Sequence, residues 1–129
     1  MSEAAKAGDA AVPVLYGIRN CDTVKAARAW LGQRGIDHRF HDYGKDGVPA
    51  EALARWLGAL GRDALVNRRG TTWRRLNDAE RASLADDASA LALLRAHPSL
   101  IRRPLLAAAD GSLSAGFDEA RWSELLRPR

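Results

Sequence analysis

The spacing of hydrophobic residues in the first third of the chain indicates a strand, a helix and a second strand. Residues 12–18 are apolar and include three β-branched side chains, which predicts a buried strand. The next apolar residues recur at helical spacing, with Asp22 and Thr23 as predicted caps and Gly35 as the predicted end of the helix. Residues 36–43 alternate as a second strand does. A strand, a helix and a strand of this length predict a parallel pair with a right-handed crossover.

The middle of the chain is predicted to be mostly helical. Residues 44–47 predict a turn. Residues 51–60 predict a helix, with Pro49 as the signal for its start and Gly61 as the signal for its end. Residues 65–73, which contain two adjacent arginines before a glycine, predict a loop. Two shorter helices are predicted at residues 78–84 and 89–96.

The end of the chain has the pattern of a hairpin followed by a helix. The pair Asp110-Gly111 is a turn signal between two strand-like runs, residues 101–108 and residues 113–115. Asp118 is the predicted cap of a last helix that continues to Leu126.

The order of these elements predicts the fold class. A β-α-β unit, a helical block and a β-β-α unit are typical of an α/β protein with a thioredoxin-like fold and helices inserted in its middle. We expect a mixed four-stranded sheet flanked by helices on both faces. Residues 1–12 contain no continuous apolar segment and are predicted to be a mobile tail rather than a signal peptide, which leaves residues 13–129 as a single predicted domain.

The composition narrows the class of ligand. Of the 129 residues, 47% are hydrophobic and 28% are charged, as in ordinary soluble proteins, and no apolar run approaches the roughly 20 residues of a membrane span. The net charge is +4, but the arginines are interspersed with acidic residues and no aromatic stacking platform accompanies them. The pattern therefore favours small anionic ligands over nucleic acid.

The single cysteine, Cys21, is the main candidate for chemistry. One cysteine excludes an intramolecular disulfide and favours a reducing, cytoplasmic location. Cys21 lies where the first strand ends and the first helix begins, with Arg19 and Lys25 nearby in sequence. Free N–H groups and the helix dipole favour the thiolate there, which is the reactive form. The alternative is a small buried hydrophobic residue, the common fate of a free cysteine.

A metal site is not predicted. His38 and His41 are three residues apart on a predicted strand, so that their side chains lie on opposite faces and do not share an ion. One cysteine and three dispersed histidines do not form a recognisable set of metal ligands.

Three motifs resemble the arsenate reductase family, ArsC, which includes glutaredoxin-coupled arsenate reductases, the Spx regulators and the YffB branch. The motifs are Asn-Cys-Asp-Thr at residues 20–23, Arg-Arg-Gly-Thr-Thr-Trp at residues 68–73, and His-Pro-Ser-Leu-Ile-Arg-Arg-Pro-Leu at residues 97–105. The resemblance covers about residues 13–127, and the first two motifs are most similar to the YffB branch. It implies a thioredoxin-like fold and an active cysteine.

The resemblance implies roles for several residues. Cys21 matches the nucleophile of the family, and Arg103 matches an arginine that meets the oxyanion or thiolate. Pro104 matches the proline that is typically cis beside the active cysteine of thioredoxin folds. Asn20, directly before the nucleophile, joins Arg103 and Pro104 in the predicted glutathione-binding set. Arg69 completes that set as a second active-site arginine.

Some positions leave alternatives open or depart from the family. Arg68 is a rival to Arg69 for the role of the second arginine. The third arginine of the arsenate reductases falls at Gly116, and the histidine that follows their strand tyrosine falls at Gly17. A tetrahedral oxyanion needs several charge-assisted donors, so the loss of one argues against arsenate as the natural substrate.

The function implied is a cytoplasmic, glutathione-dependent thiol reductase whose cysteine forms a mixed disulfide. No cofactor is expected to be bound. With one cysteine, the resolving thiol comes from glutathione, as co-substrate, or from a glutaredoxin. The alternatives are a glutaredoxin-coupled arsenate reductase and a non-catalytic, Spx-like regulator that binds RNA polymerase. Spx regulators often use a Cys-x-x-Cys switch, and Val24 occupies the position of the second cysteine.

Overall fold

The structure of the protein is a computed structural model that describes residues 12–126. This part of the chain divides into two compact units, which we call the sheet unit and the helical unit. The sheet unit comprises residues 12–42 and 103–126, and the helical unit comprises residues 43–102. The segment predicted as a single domain contains both units. The predicted tail at residues 1–12 lies, except for Val12, outside the described residues.

The sheet unit contains a mixed four-stranded sheet of order β2-β1-β3-β4. Its strands are β1 (Val14–Gly17), β2 (Arg39–Asp42), β3 (Leu105–Ala107) and β4 (Leu113–Ala115). β1 pairs in parallel with β2 and antiparallel with β3, and β3 pairs antiparallel with β4. The predictions of the sheet, of the parallel pair and of the hairpin are confirmed. The first three strands are shorter than predicted, and the strand-like run at residues 101–108 forms a strand only over Leu105–Ala107.

Two helices of the sheet unit, α1 (Asp22–Gln33) and α8 (Glu119–Leu125), share one core with the sheet. The fully or almost fully buried members of this core are Leu15, Ala27, Trp30, Leu31, Leu106 and Trp122. The rings of Trp30 and Trp122 meet edge to face, with 6.0 Å between centroids. Trp122 also donates its Nε1–H to Ser114 Oγ at 3.1 Å. A buried indole N–H is thereby satisfied inside an apolar core.

The ends of these two helices test the predicted caps. Asp118 Oδ1 accepts a hydrogen bond from the Arg121 N–H at 3.0 Å, which confirms the cap of α8. The caps predicted for α1 are wrong: its N-cap is Cys21, and no side chain caps this end. Asp22 is already the first helical residue. The helix ends before Gly35, which takes a φ of 67° that glycine adopts without strain.

The helical unit contains six short helices and two 3₁₀ turns within residues 43–102. The helices are α2 (Tyr43–Asp46), α3 (Ala50–Leu60), α4 (Arg62–Leu65), α5 (Thr71–Arg75), α6 (Asp78–Ala82) and α7 (Asp87–Ala96), and the turns are Ser83–Ala85 and Pro98–Leu100. Helix α3 buries Leu53, Trp56 and Leu57 and packs against α7, which buries Leu93 and Leu94. No helix within the described part of the chain is both long and apolar enough to cross a membrane.

Two predictions for this unit are corrected. Residues 44–46 of the turn predicted at residues 44–47 belong to the short helix α2, and Gly47 follows its last residue. The loop predicted at residues 65–73 contains the end of α4, the start of α5 and a bridge from Val66 to Ile101. Val66 and Ile101 are buried. A pairing between residues so far apart has no local sequence signal. Helix α5 buries none of its side chains, so no helical spacing of apolar residues marks it in the sequence.

Candidate functional site

Cys21 occupies the turn between β1 and α1. Its backbone is extended (φ −97°, ψ 126°), its N–H donates to the Ile18 carbonyl at 3.2 Å, and its carbonyl accepts from the Lys25 N–H at 2.9 Å. The short turn after β1 therefore delivers the cysteine to the N-cap of the helix. The thiol is partly exposed, as a nucleophile must be to reach another molecule.

The surroundings of the thiol favour its ionised form. Burial by itself raises the pKa of Cys21, but hydrogen bonds from the Val24 backbone, the Arg103 side chain and the Thr23 backbone outweigh it, together with the charge of Arg103. The pKa of Cys21 therefore lies below its ordinary value. The backbone donors are the free N–H groups of the first turn of α1.

Arg103 reaches the cysteine from the segment that precedes β3. Because β3 is antiparallel to β1, with Leu105 opposite Tyr16, residue 103 lies beyond the end of β1 where the cysteine turn begins. The Arg103–Pro104 peptide bond is cis, as the resemblance implies, and Pro104 is buried. The structure thus brings together Cys21, Arg103 and Pro104, three of the predicted site residues.

The turn before the cysteine also contains Arg19 and Asn20, both exposed. Arg19 Nε lies 3.8 Å from Asp42 Oδ2 at the end of β2, so this arginine is directed to a carboxylate. Asp42, whose side chain is 13% exposed, was not predicted as part of the site. In the sequence, Asp42 is marked only by its position as an acidic residue at the end of the strand that runs parallel to β1. The role of Asn20 in binding glutathione stays a prediction.

The two candidate arginines of residues 68–73 belong to the helical unit and differ in their partners. Arg68 Nη1 lies 3.2 Å from Asp63 Oδ1, and its guanidinium lies 5.5 Å from the centre of the Trp73 ring. Arg69 uses its backbone, donating its N–H to Asn67 Oδ1 at 3.0 Å. The Arg69 guanidinium makes no hydrogen bond or ion pair with residues 12–126. Arg69 is therefore the arginine with an available side chain, and its role at the site stays a prediction.

No group of three or more histidine, cysteine, aspartate or glutamate side chains within residues 12–126 is arranged to bind a metal ion.

Comparison with known proteins assigns the family. The model of the ArsC family matches residues 16–125, which is most of the chain. The chain belongs to the ArsC family. It is 44% identical over 108 residues to an uncharacterized protein of Haemophilus influenzae, covering 84% of this chain and 93% of that protein.

Two solved structures are similar across nearly the whole chain. The structure of a YffB protein is 41% identical, has a TM-score of 0.83, and the match covers 89% of this chain and 99% of that one. The solution structure of an arsenate reductase-related protein from Brucella melitensis is 44% identical, has a TM-score of 0.70, and the match covers 91% and 96%. These likenesses confirm the YffB branch and the thioredoxin-like fold.

The structure explains two departures from the arsenate reductases of the ArsC family. A Cβ at Gly17 would lie 2.7 Å from Val24 Cγ2, so a histidine has no room at residue 17 while Val24 packs there. Gly116 takes a φ of 85°, which strains any side chain, and its N–H donates to the Pro104 carbonyl at 2.8 Å. The backbone therefore favours glycine at both positions, at residue 17 because of a close contact and at residue 116 because of its positive φ.

Proposed function

We propose that this ArsC-family protein is a glutathione-dependent thiol reductase with Cys21 as its single nucleophile. The observation that carries the proposal is the set of donors around the thiol, namely the N–H groups of Thr23 and Val24 and the side chain of Arg103. They stabilise a thiolate at a partly exposed position, where another molecule can reach it. Family membership supports the broader class of thiol reductase.

The proposed reaction has two thiol–disulfide exchanges. The Cys21 thiolate attacks the glutathione sulfur of a mixed disulfide between glutathione and a substrate thiol. A bond forms between Cys21 and glutathione, the original disulfide bond breaks, and the substrate leaves as a thiolate that takes a proton from water. A second glutathione thiolate then attacks the new disulfide, releasing oxidised glutathione and restoring the Cys21 thiolate. In the net reaction one glutathione thiol is consumed, the substrate thiol is released, and the two glutathione sulfurs leave as oxidised glutathione.

Arg103 has two tasks in this scheme. Its charge and its hydrogen bond stabilise Cys21 as the attacking thiolate and again as the leaving thiolate. When Cys21 is in the mixed disulfide, the guanidinium no longer faces a thiolate and its planar fork is suited to a glutathione carboxylate. A glutaredoxin is the alternative source of the resolving thiol. The need for reduced glutathione favours a cytoplasmic location.

The test is the formation of the mixed disulfide. Incubation with oxidised glutathione should add one glutathione, seen by intact-mass spectrometry, and reduced glutathione should remove it. Arg103→Ala should slow formation about tenfold or more, since a charge-assisted contact is lost, and Arg103→Lys should restore part of the rate because lysine keeps the charge without the fork. Arg121→Ala, which removes an exposed arginine of α8, is the matched control and should leave the rate unchanged.

Turnover separates an enzyme from a protein that is merely modified. With a glutathionylated peptide and reduced glutathione, the protein should release oxidised glutathione faster than the uncatalysed exchange, and Cys21→Ser should abolish this gain. Absence of any adduct, or turnover equal to that of Cys21→Ser, contradicts the proposed function.

A further inference from the structure

A polar cavity lies in the helical unit. It has a volume of about 300 Å³ and is formed by α5, the residue after it, α6 and the segment that follows α7. Its lining residues are Thr72, Arg75, Leu76, Glu80, His97 and Ser99. This volume is at the lower end of the range for small-molecule sites. None of these residues has a part in the proposed reaction of Cys21.

The donors of this cavity suit an oxyanion. Arg75 is exposed, and its guanidinium makes no hydrogen bond or ion pair with the rest of the described chain. Thr72 Oγ1 and Ser99 Oγ are 2.6 Å apart, and either can donate. When Ser99 is the donor, Thr72 can offer its own proton to a ligand. A guanidinium and a hydroxyl on one cavity wall are the groups that hold a phosphate or a carboxylate.

The acidic residue of the cavity is already engaged. Glu80 Oε1 accepts the N–H of Asn77 at 2.9 Å in the capping box of α6, and Glu80 Oε2 lies 3.6 Å from His97 Nε2. The carboxylate is thus held by its own helix cap and by the imidazole, which lessens its repulsion of an anion. His97 directly follows the last residue of α7.

We propose that this cavity binds a small organic anion through one phosphate or carboxylate group. Arg75 forms the bidentate contact, Thr72 donates a further hydrogen bond, and Leu76 offers an apolar wall to the organic part of the ligand. The cavity contains more space than the anionic group alone requires, which is why we propose an organic anion rather than a bare ion.

The test is an NMR titration of the full-length protein with three probes. Phenyl phosphate and benzoate carry the two candidate anionic groups, and benzamide is a neutral analogue of benzoate. At least one anion should shift the amide signals of residues 72–76 and 97–99 saturably, and benzamide should not. A response to one anion alone identifies which group the cavity takes.

Variants distinguish binding of an anion in this cavity from its general electrostatic attraction to a positively charged protein. Arg75→Gln should weaken binding of the responding anion about tenfold, and Thr72→Val should weaken it a few-fold. Arg95→Gln is the matched control, because Arg95 is exposed on α7 in the same unit, carries the same charge and does not line the cavity. Binding should be unchanged in this variant. Absence of saturable shifts at these residues, or equal weakening by Arg75→Gln and Arg95→Gln, overturns the proposal.

Discussion

The thiol of Cys21 receives hydrogen bonds that act against the effect of its burial on the pKa. Two donors are backbone N–H groups of α1, which cannot be removed by changing a side chain, and one is the side chain of Arg103. The contribution of Arg103 is therefore the part of this environment that mutation can isolate. Thiolate reactivity at single residues depends on such local donors.

The first prediction concerns the pH dependence of Cys21. The rate of alkylation should rise with a midpoint below the ~8.5 of a free thiol, and Arg103→Ala should move that midpoint upward, because the variant loses a donor and a charge. The matched control, Arg121→Ala, should leave it in place. A midpoint at or above the value of a free thiol contradicts the proposed environment.

The same lowered pKa has a consequence for stability. Between the native pKa of Cys21 and the unfolded value of ~8.5, the unfolded chain binds more protons than the native one. The free energy of unfolding therefore increases with pH across this window, and the contribution is lost as pH falls through the native pKa. Arg103→Ala should narrow the window, which urea unfolding at a series of pH values measures.

At the scale of elements, β1 and α1 are held closely together at the cysteine turn. Gly17 and Val24 are the two residues at the point of contact, and Val24 is fully buried. The close approach requires that residue 17 have no side chain.

The second prediction tests this contact. Gly17→Ala should lower the free energy of unfolding by about 1–3 kcal/mol, because its Cβ would overlap Val24 Cγ2. In a Val24→Ala background the same change should cost much less, since both γ carbons are gone. Gly58→Ala is the control: this glycine of α3 has open space around it, and alanine there should stabilise by about 0.5–1 kcal/mol. Equal effects of Gly17→Ala in both backgrounds would contradict the contact.

The third prediction compares two aspartates near helix starts. Asp118→Ala should lower the free energy of unfolding by about 1 kcal/mol, because it removes the hydrogen bond to the Arg121 N–H. Asp22→Ala should cost less, because Asp22 lies in the first turn of α1, where it interacts with the helix dipole, and does not cap the helix. Thermal unfolding of both variants measures the difference, and a larger loss for Asp22→Ala would contradict the cap assignment.

At the scale of the whole molecule, the chemistry offered to a substrate depends on how many cations the fold can present. The backbone at Gly116 takes a φ of 85° and holds a glycine where the resemblance to the arsenate reductases implies an arginine. The chain shares the fold of the family, but it lacks a guanidinium donor at residue 116. Family membership therefore leaves the substrate to be decided by individual positions.

The fourth prediction is that arsenate reduction is weak or absent. With glutathione and a glutaredoxin, arsenite formation should remain near background while thiol reduction proceeds. Gly116→Arg should raise arsenite formation relative to Gly116→Ala, because both variants carry the same backbone strain of about 1–2 kcal/mol and only one supplies a cation. Robust arsenate turnover by the unchanged protein would favour the alternative function.

Much of the fold was predictable because its signals are local. The apolar run of β1, the helical spacing of α1, the Asp110-Gly111 turn and the cap at Asp118 are each visible within a few residues. Helix α5 and the Val66–Ile101 bridge were not, because a helix without buried side chains and a pairing of distant residues leave no periodic pattern.

The sequence by itself determined where the proposed nucleophile lies, since a lone cysteine between a strand and a helix has only one local context. The tertiary structure decided what surrounds it. The antiparallel register of β3 against β1 brings Arg103 to the thiol from 82 positions away, and the packing of Val24 excludes a side chain at Gly17. The physical reason is that hydrogen bonds and steric exclusion depend on distances in space, which the chain acquires only when its distant segments pair and pack.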